Sequence, residues 1–264
     1  MAARDLNPLR RILSLPNDSR AKTVFVAFAV SAICAVLVSG ATVMLRPIQA
    51  ANRAAEEQAR IEALVRGVPG MSELLEETGG TLSTVVIDLG SGRASPDVTP
   101  ETLETALADP GNWSAIEAGD DLAGLGQRPD VAQIYLLRDG ERISLVLLPI
   151  SGQGYNGRID AILALRGDMN TIAGIAVTRH SETPGLGGRI EEAAWQASWP
   201  GTEVRDDEGT IRFTVARGTA SSIHEVDGIT GATRTSSAMT RIVRFWLGPE
   251  GYGPFLDAVN RGEF

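Results

Sequence analysis

Three threonines and a serine crowd into Asp227-Gly228-Ile229-Thr230-Gly231-Ala232-Thr233-Arg234-Thr235-Ser236, interleaved with two glycines. Downstream, Met239, Ile242, Val243 and Trp246 recur at i, i+3, i+4, i+7, the spacing of one face of an amphipathic helix. The hydroxyls therefore sit where that helix begins. A helix start presents backbone N–H groups without intrahelical acceptors and a partial positive charge, which suits a phosphate. The glycines permit tight turning and close approach of a ligand. The plainer alternative is that Thr233 or Thr235 is only the N-cap of the helix. As a nucleophile, a threonine hydroxyl is weak without an adjacent base. Neither histidine, His180 or His224, stands at a spacing that marks it as that base.

A second loop, His180-Ser181-Glu182-Thr183-Pro184-Gly185-Leu186-Gly187-Gly188-Arg189, also lies between an expected strand and an expected helix. Pro184 fixes one φ angle, while Gly185, Gly187 and Gly188 leave backbone N–H groups open to a flat ligand. Gly-Leu-Gly-Gly lacks the spacing of a dinucleotide fingerprint and the lysine and hydroxyl of a Walker loop, so on its own it marks only a turn. The single cysteine, Cys34, falls in an apolar run and reads as a small apolar residue, which argues against a metal or iron–sulfur site built by this chain.

The two loops need a framework. Strand-like runs cover residues 84–89, 134–138, 143–148, 159–165, 172–178 and 211–216. Asp139-Gly140 between two of them is a hairpin signal, and Pro149 is expected to close the second strand. Short strands with turn-rich links predict an antiparallel sheet. A short helix carrying Trp195 is expected over 189–198. Strands clustered apart from helices make the fold class α+β. Residues 134–264 then form the domain that carries both loops. Residues 71–133, rich in Gly, Pro and Asp after Ser91, read as an irregular α/β subdomain with a short helix over 100–108.

The chain of 264 residues has a net charge of -9, which argues against nucleic acid as a partner. Val24 to Leu45 holds no charged residue. Its length in a helix, about 33 Å, crosses a bilayer. Residues 23–45 are therefore expected to be a single transmembrane helix. Arg4, Arg10, Arg11, Arg20 and Lys22 precede it, against Arg46, Arg53 and Arg60 soon after, so residues 1–22 are expected in the cytoplasm and the rest outside. Pro47 is expected to mark the membrane exit. Residues 46–70, rich in strong helix formers, form a helical stalk with Arg53–Glu57 and Glu56–Arg60 at i, i+4.

Asp-Gly-Ile-Thr-Gly-Ala-Thr resembles the flavinylation motif of the C subunit of the sodium-translocating NADH:quinone reductase and of its relative, the G subunit of the Rnf complex. Glu-Thr-Pro-Gly-Leu-Gly resembles the second hallmark of that family. Arg46-Pro47-Ile48-Gln49, Pro149 to Gly154 and the ending from Phe245 to Leu256 resemble the C subunit in particular. The resemblance implies FMN held by a phosphoester to Thr233, with residues 227–232 (Asp227, Gly228, Ile229, Thr230, Gly231, Ala232) and 182–187 (Glu182, Thr183, Pro184, Gly185, Leu186, Gly187) around it. Thr233 is then a modified residue, loaded by a separate flavin transferase. The resemblance further implies an FMN domain on the periplasmic side of the bacterial inner membrane, as one electron relay among other subunits that couple NADH oxidation and quinone reduction to sodium export. After Gly154 the C subunit usually has Leu-Trp-Ser, whereas Tyr155-Asn156-Gly157 is nearer the Rnf pattern, and Tyr155 is the candidate substitute for that tryptophan. An Rnf-type flavin subunit and a membrane-anchored binding module without cofactor remain the alternatives.

Overall fold

The computed structural model describes residues 16, 19–67 and 81–264. The chain divides into two compact units, the first ending at Gln58. In the first, helix α1 begins at Arg20, and it continues to Gly67 as one helix of 48 residues. Its stretch Lys22–Arg46 has a mean hydropathy of 2.5 and is long and apolar enough to cross a membrane. Phe28 and Met44 lie on it with most of their surface open. Pro47 does not end the helix. A proline costs a helix one backbone bond, and the Ala- and Glu-rich run beyond it re-forms the next turn readily. Most of the expected N-terminal segment and the expected end of the stalk near Gly70 lie outside the described residues, as do the side chains of the Arg53–Glu57 and Glu56–Arg60 pairs.

The second unit is built on a five-stranded antiparallel sheet in the order β1-β4-β5-β6-β7. Its strands are β1 (Thr81–Asp88), β4 (Val131–Asp139), β5 (Arg142–Gln153), β6 (Arg158–Arg166) and β7 (Ile172–Arg179). Between the first two come helix α2 (Leu103–Ala108) and a small ribbon of β2 (Trp113–Ala115) with β3 (Gln127–Pro129). β1 pairs along its whole length with β4, from Thr81↔Arg138 to Asp88↔Val131. The sheet therefore crosses the boundary expected at residue 134, and residues 81–88 belong to the same framework as both loops. Apolar alternation in β1 is short, and its partner lies beyond a long irregular stretch, so its pairing was not readable locally.

Pro149 stands inside β5 instead of closing it, opposite Ile162 of β6. Pairing with β4 stops at Tyr135↔Leu147, so beyond that point β5 needs no donor on its β4 side. The Pro149 carbonyl, which points to the same side as its nitrogen, accepts the Tyr252 hydroxyl at 2.7 Å. The missing N–H costs no ladder bond there.

One sheet face carries Leu148, Ile150, Leu163 and Ile175 into the main core. Helix α4 (Thr233–Trp246) buries Met239, Ile242, Val243 and Trp246 in that core, the face marked by their spacing. Trp246 Nε1 donates to Ser151 O at 2.7 Å. A Cβ on Gly152 would meet Ile242 Cγ1 at 2.5 Å, so the glycine lets α4 lie close on β5. Leu137, Leu145, Leu147 and Ala164 form a second cluster on the opposite face.

The segment after β7 differs from the single helix expected over 189–198. It is a 3-10 turn, Gly187–Glu191, and a short α3, Ala193–Gln196, broken by the extended Glu192. The strand expected over 211–216 shrinks to β8 (Thr214–Val215), paired in parallel with β9 (Glu225–Val226). Arg212 N and Phe213 N both turn to Val204 O, and the Phe213 ring packs 5.2 Å from Trp199. Side-chain packing has replaced a ladder there. Helix α5 (Gly253–Asn260), which no periodicity announced, buries Phe255 and Leu256. The backbone at Pro254 and Phe255 lies so close to Gly92 (φ +69) that a Cβ there would strike it.

Candidate functional site

β9 delivers the chain into the 227–232 loop, which is pinned before α4 starts. The Asp227 carboxylate accepts Ala220 N at 2.7 Å, and its carbonyl accepts Trp195 Nε1 at 2.8 Å. Gly228 N donates to Gly218 O at 2.7 Å, and a Cβ on Gly228 would run into the backbone at Ala216 and Arg217. Ile229 is buried, and its N–H meets Ser236 Oγ at 3.3 Å. Gly231 takes a positive φ of 81°, which turns the chain into the helix.

The N-cap position falls on Ala232, whose side chain can accept nothing. Neither Thr233 nor Thr235 is the cap. The first helical bond runs from Ser236 N to Ala232 O, so the amides of Thr233, Arg234 and Thr235 lack acceptors among the described residues. Thr233 is exposed, and its hydroxyl has no hydrogen-bond partner among those residues. Thr235 instead turns inward, buried, and donates to Glu182 Oε2 at 2.6 Å.

Glu182 ties three segments together. Its other oxygen accepts the backbone N–H groups of Tyr155 at 2.7 Å and Asn156 at 2.9 Å, in the turn between β5 and β6. Only 4% of its surface is exposed, so these bonds replace the water the carboxylate has lost. Asn156 Nδ2 adds a bond to Ser181 O at 2.9 Å. Two glycines make room: a Cβ on Gly154 would collide with Glu182 Oε1, and one on Gly187 would reach Glu182 Oε2 at 2.5 Å and strike Thr235 Oγ1. His180 orients this loop, its Nδ1 accepting Glu182 N at 3.1 Å while Nε2 donates to Glu191 at the same distance.

Between the loops opens a cleft of about 300 Å³. Of the residues expected at a site, Tyr155, Glu182, Thr183, Leu186, Gly187, Gly231, Ala232 and Thr233 line it. Asp227, Gly228, Ile229, Thr230, Pro184 and Gly185 do not, and the first three instead hold the loop in place. Arg234 and Thr235 complete the wall. Sequence reasoning missed both as site residues, although a helix start exposes its second and third residues as readily as its first. The Arg234 guanidinium lies 4.9 Å from the centre of the Tyr155 ring. Neither histidine lines the cleft, and Glu182, its one carboxylate among the described residues, is occupied by three donors. Thr233 thus has no base of its own there. No group of three or more His, Cys, Asp or Glu suited to a metal ion occurs among the described residues.

The cleft suits a flat, phosphate-bearing ligand: open amides and a free hydroxyl at a helix start on one wall, and Tyr155 and Leu186 as apolar surfaces beside them. Residues 154–248, which span both loops and α4, match the model of the FMN-binding domain family, so the class is a flavin-binding domain. The chain is 35% identical to the C subunit of the Na(+)-translocating NADH-quinone reductase of Pseudomonas aeruginosa, over 93% of this chain and 98% of that one. It is 38% identical to the subunit of the same name in Yersinia pestis, over 93% and 95%. The chain belongs to the family of C subunits of the Na(+)-translocating NADH-quinone reductase. The crystal structure of Shewanella oneidensis NqrC is similar with a TM-score of 0.63 at 27% identity, covering 72% of this chain and 88% of that one. The crystal structure of the C subunit from Parabacteroides distasonis shares the fold, with a TM-score of 0.54 at 19% identity over 80% and 96%.

Proposed function

We propose that this chain is the flavin-carrying electron-transfer subunit of a membrane complex that couples NADH oxidation and quinone reduction to sodium export, with FMN bound through a phosphoester to Thr233. The free Thr233 hydroxyl, set at the uncapped start of α4 in the wall of the cleft, carries this reading. The match to the C subunit over nearly the whole chain favours it over an Rnf-type protein, and the match to the FMN-binding domain favours it over a binding module without cofactor. Bound FMN supplies one- and two-electron chemistry. The protein's part is to hold it. The amides of Thr233, Arg234 and Thr235 would receive the phosphate, Glu182 fixes the opposite wall, and Tyr155 and Leu186 would shield the ring from water.

With no base beside Thr233, the bond is made by a separate flavin transferase. The transferase needs a donor that carries FMN as a phosphoanhydride: the threonine oxygen bonds to the flavin's phosphorus, the anhydride bond breaks, and the other phosphate leaves with the proton, so the chain gains the mass of FMN less water. The apolar stretch of α1 anchors the chain in the inner membrane, with the N-terminus cytoplasmic and the FMN domain periplasmic. The test is the intact mass of the full chain co-expressed with a flavin transferase in an exporting host. The expected result is that mass gain in the wild type and its absence in Thr233→Ala. An unmodified wild-type mass, with a transferase active on a control substrate, would overturn the assignment.

A further inference from the structure

The wall of the cleft holds a cation with no ion-pair partner among the described residues. Arg234 directly follows Thr233, and among the described residues it has neither a hydrogen bond nor an ion pair. Its neighbour is the Tyr155 ring, 4.9 Å away. Glu182, which lines the same cleft, forms no ion pair with it. That carboxylate is buried, and both of its oxygens are turned to the Tyr155 and Asn156 amides and the Thr235 hydroxyl. The backbone that carries the ring under the guanidinium is tied down. Tyr155 keeps 57% of its surface exposed, yet its backbone N–H is bonded to buried Glu182. An arginine stacked on an aromatic face loses less freedom than one waving in solvent, and its charge stays undiminished. Arg234 lies in the wall of the cleft and reaches from the start of α4 to the β5–β6 turn. The helix-start amides are left to take the phosphate.

We propose that Arg234, seated on Tyr155, sets the reduction potential of the flavin carried on Thr233 by presenting its positive charge to the flavin ring. The inference rests on the flavin reading above. Uptake of two electrons and one proton leaves the ring with one more negative charge. A nearby cation favours that state, so Arg234 raises the potential. Because the guanidinium is solvent-exposed, the interaction is partly screened. Its removal is expected to shift the reduction equilibrium about tenfold toward the oxidised form, or about 30 mV for a two-electron couple.

The experiment is redox titration of the full, flavinylated chain in detergent, after intact mass has shown FMN on each variant. Arg234→Gln is expected to titrate about 30 mV below the wild type at low salt. The gap should close at about 1 M salt, where the screening length falls to about 3 Å. Arg234→Lys, which keeps the charge but not the planar stack, should lie between them. Tyr155→Leu should lower the wild-type potential part of the way by releasing the guanidinium. A loaded Arg234→Gln protein with the wild-type potential at low salt would overturn the proposal. So would an Arg234→Gln chain that takes up no FMN while the wild type does, which would assign Arg234 to attachment instead. A wild type without covalent FMN is the separate failure of the underlying flavin reading.

Discussion

Glu182 shows how much of a binding wall can depend on one buried acceptor. Two amides and a hydroxyl converge on it from segments 27 and 53 residues away in sequence. Truncation leaves all three donors unpaired, and a buried orphan donor costs about 1–3 kcal/mol. Glu182→Ala is expected to lose about 2–4 kcal/mol of stability in urea unfolding, and to take up less FMN from the transferase. Glu182→Gln keeps one carbonyl for the Tyr155 and Asn156 amides and should cost less than half as much. A wild-type urea midpoint for Glu182→Ala would show that the three bonds do not hold the wall. Thr233 could be singled out because its neighbours form a distinctive string, and it stands in the wall of the cleft. The task of Glu182 was not, because it is defined by Thr235 and Tyr155, which only the fold brings near. Arg234 escaped for the same reason, since its charge has meaning only beside the Tyr155 ring.

The elements that position the site were legible where periodicity had room to repeat. The apolar face of α4 announced itself over two turns, and β6 and β7 showed as runs of apolar residues. Where side chains outside the segment decide, local pattern failed. The Tyr252 hydroxyl satisfies the Pro149 side of β5, and the stacking of Phe213 on Trp199 takes the place of strand pairing before β8. The turn joining β6 to β7 is held by its own residues. Asp168 accepts the amides of Asn170 at 2.9 Å and Thr171 at 2.8 Å, and Met169 between them adopts a positive φ of 57°. Partial burial pushes the Asp168 carboxyl up. The Thr171 hydroxyl, the two amides and the Arg166 charge outweigh it and hold the group below the usual carboxylate range. A depressed folded-state pKa adds stability that is present above the unfolded value, about 3.9, and is lost as pH falls through the folded one. The urea midpoint of the wild type should therefore exceed that of Asp168→Asn at about pH 7, with the gap narrowing toward about pH 3. A gap unchanged between the two pH values would show that the carboxylate's ionisation does not support the turn.

At the scale of the molecule, α1 is an apolar helix with its span uncovered, while the second unit carries its own sheet and core. Legibility split along the same line. The anchor could be read from composition alone. The membership of β1 in the sheet, and the existence of α5, depend on contacts between distant parts of the chain. The tightest of these is at Gly92, which combines a positive φ with the backbone of Pro254 against its α-carbon. Gly92→Ala must adopt an unfavourable backbone angle and push α5 away, and is expected to cost more than about 2 kcal/mol in thermal or urea unfolding. An unchanged melting temperature would show that α5 can withdraw freely. The same joint bears on the order of events in the cell. A ribosome delivers residue 92 long before residue 254, so the turn after β1 is made well ahead of the backbone that packs on it. A chain halted before α5 would leave Phe255's place in the core open to proteases and to other unfinished chains.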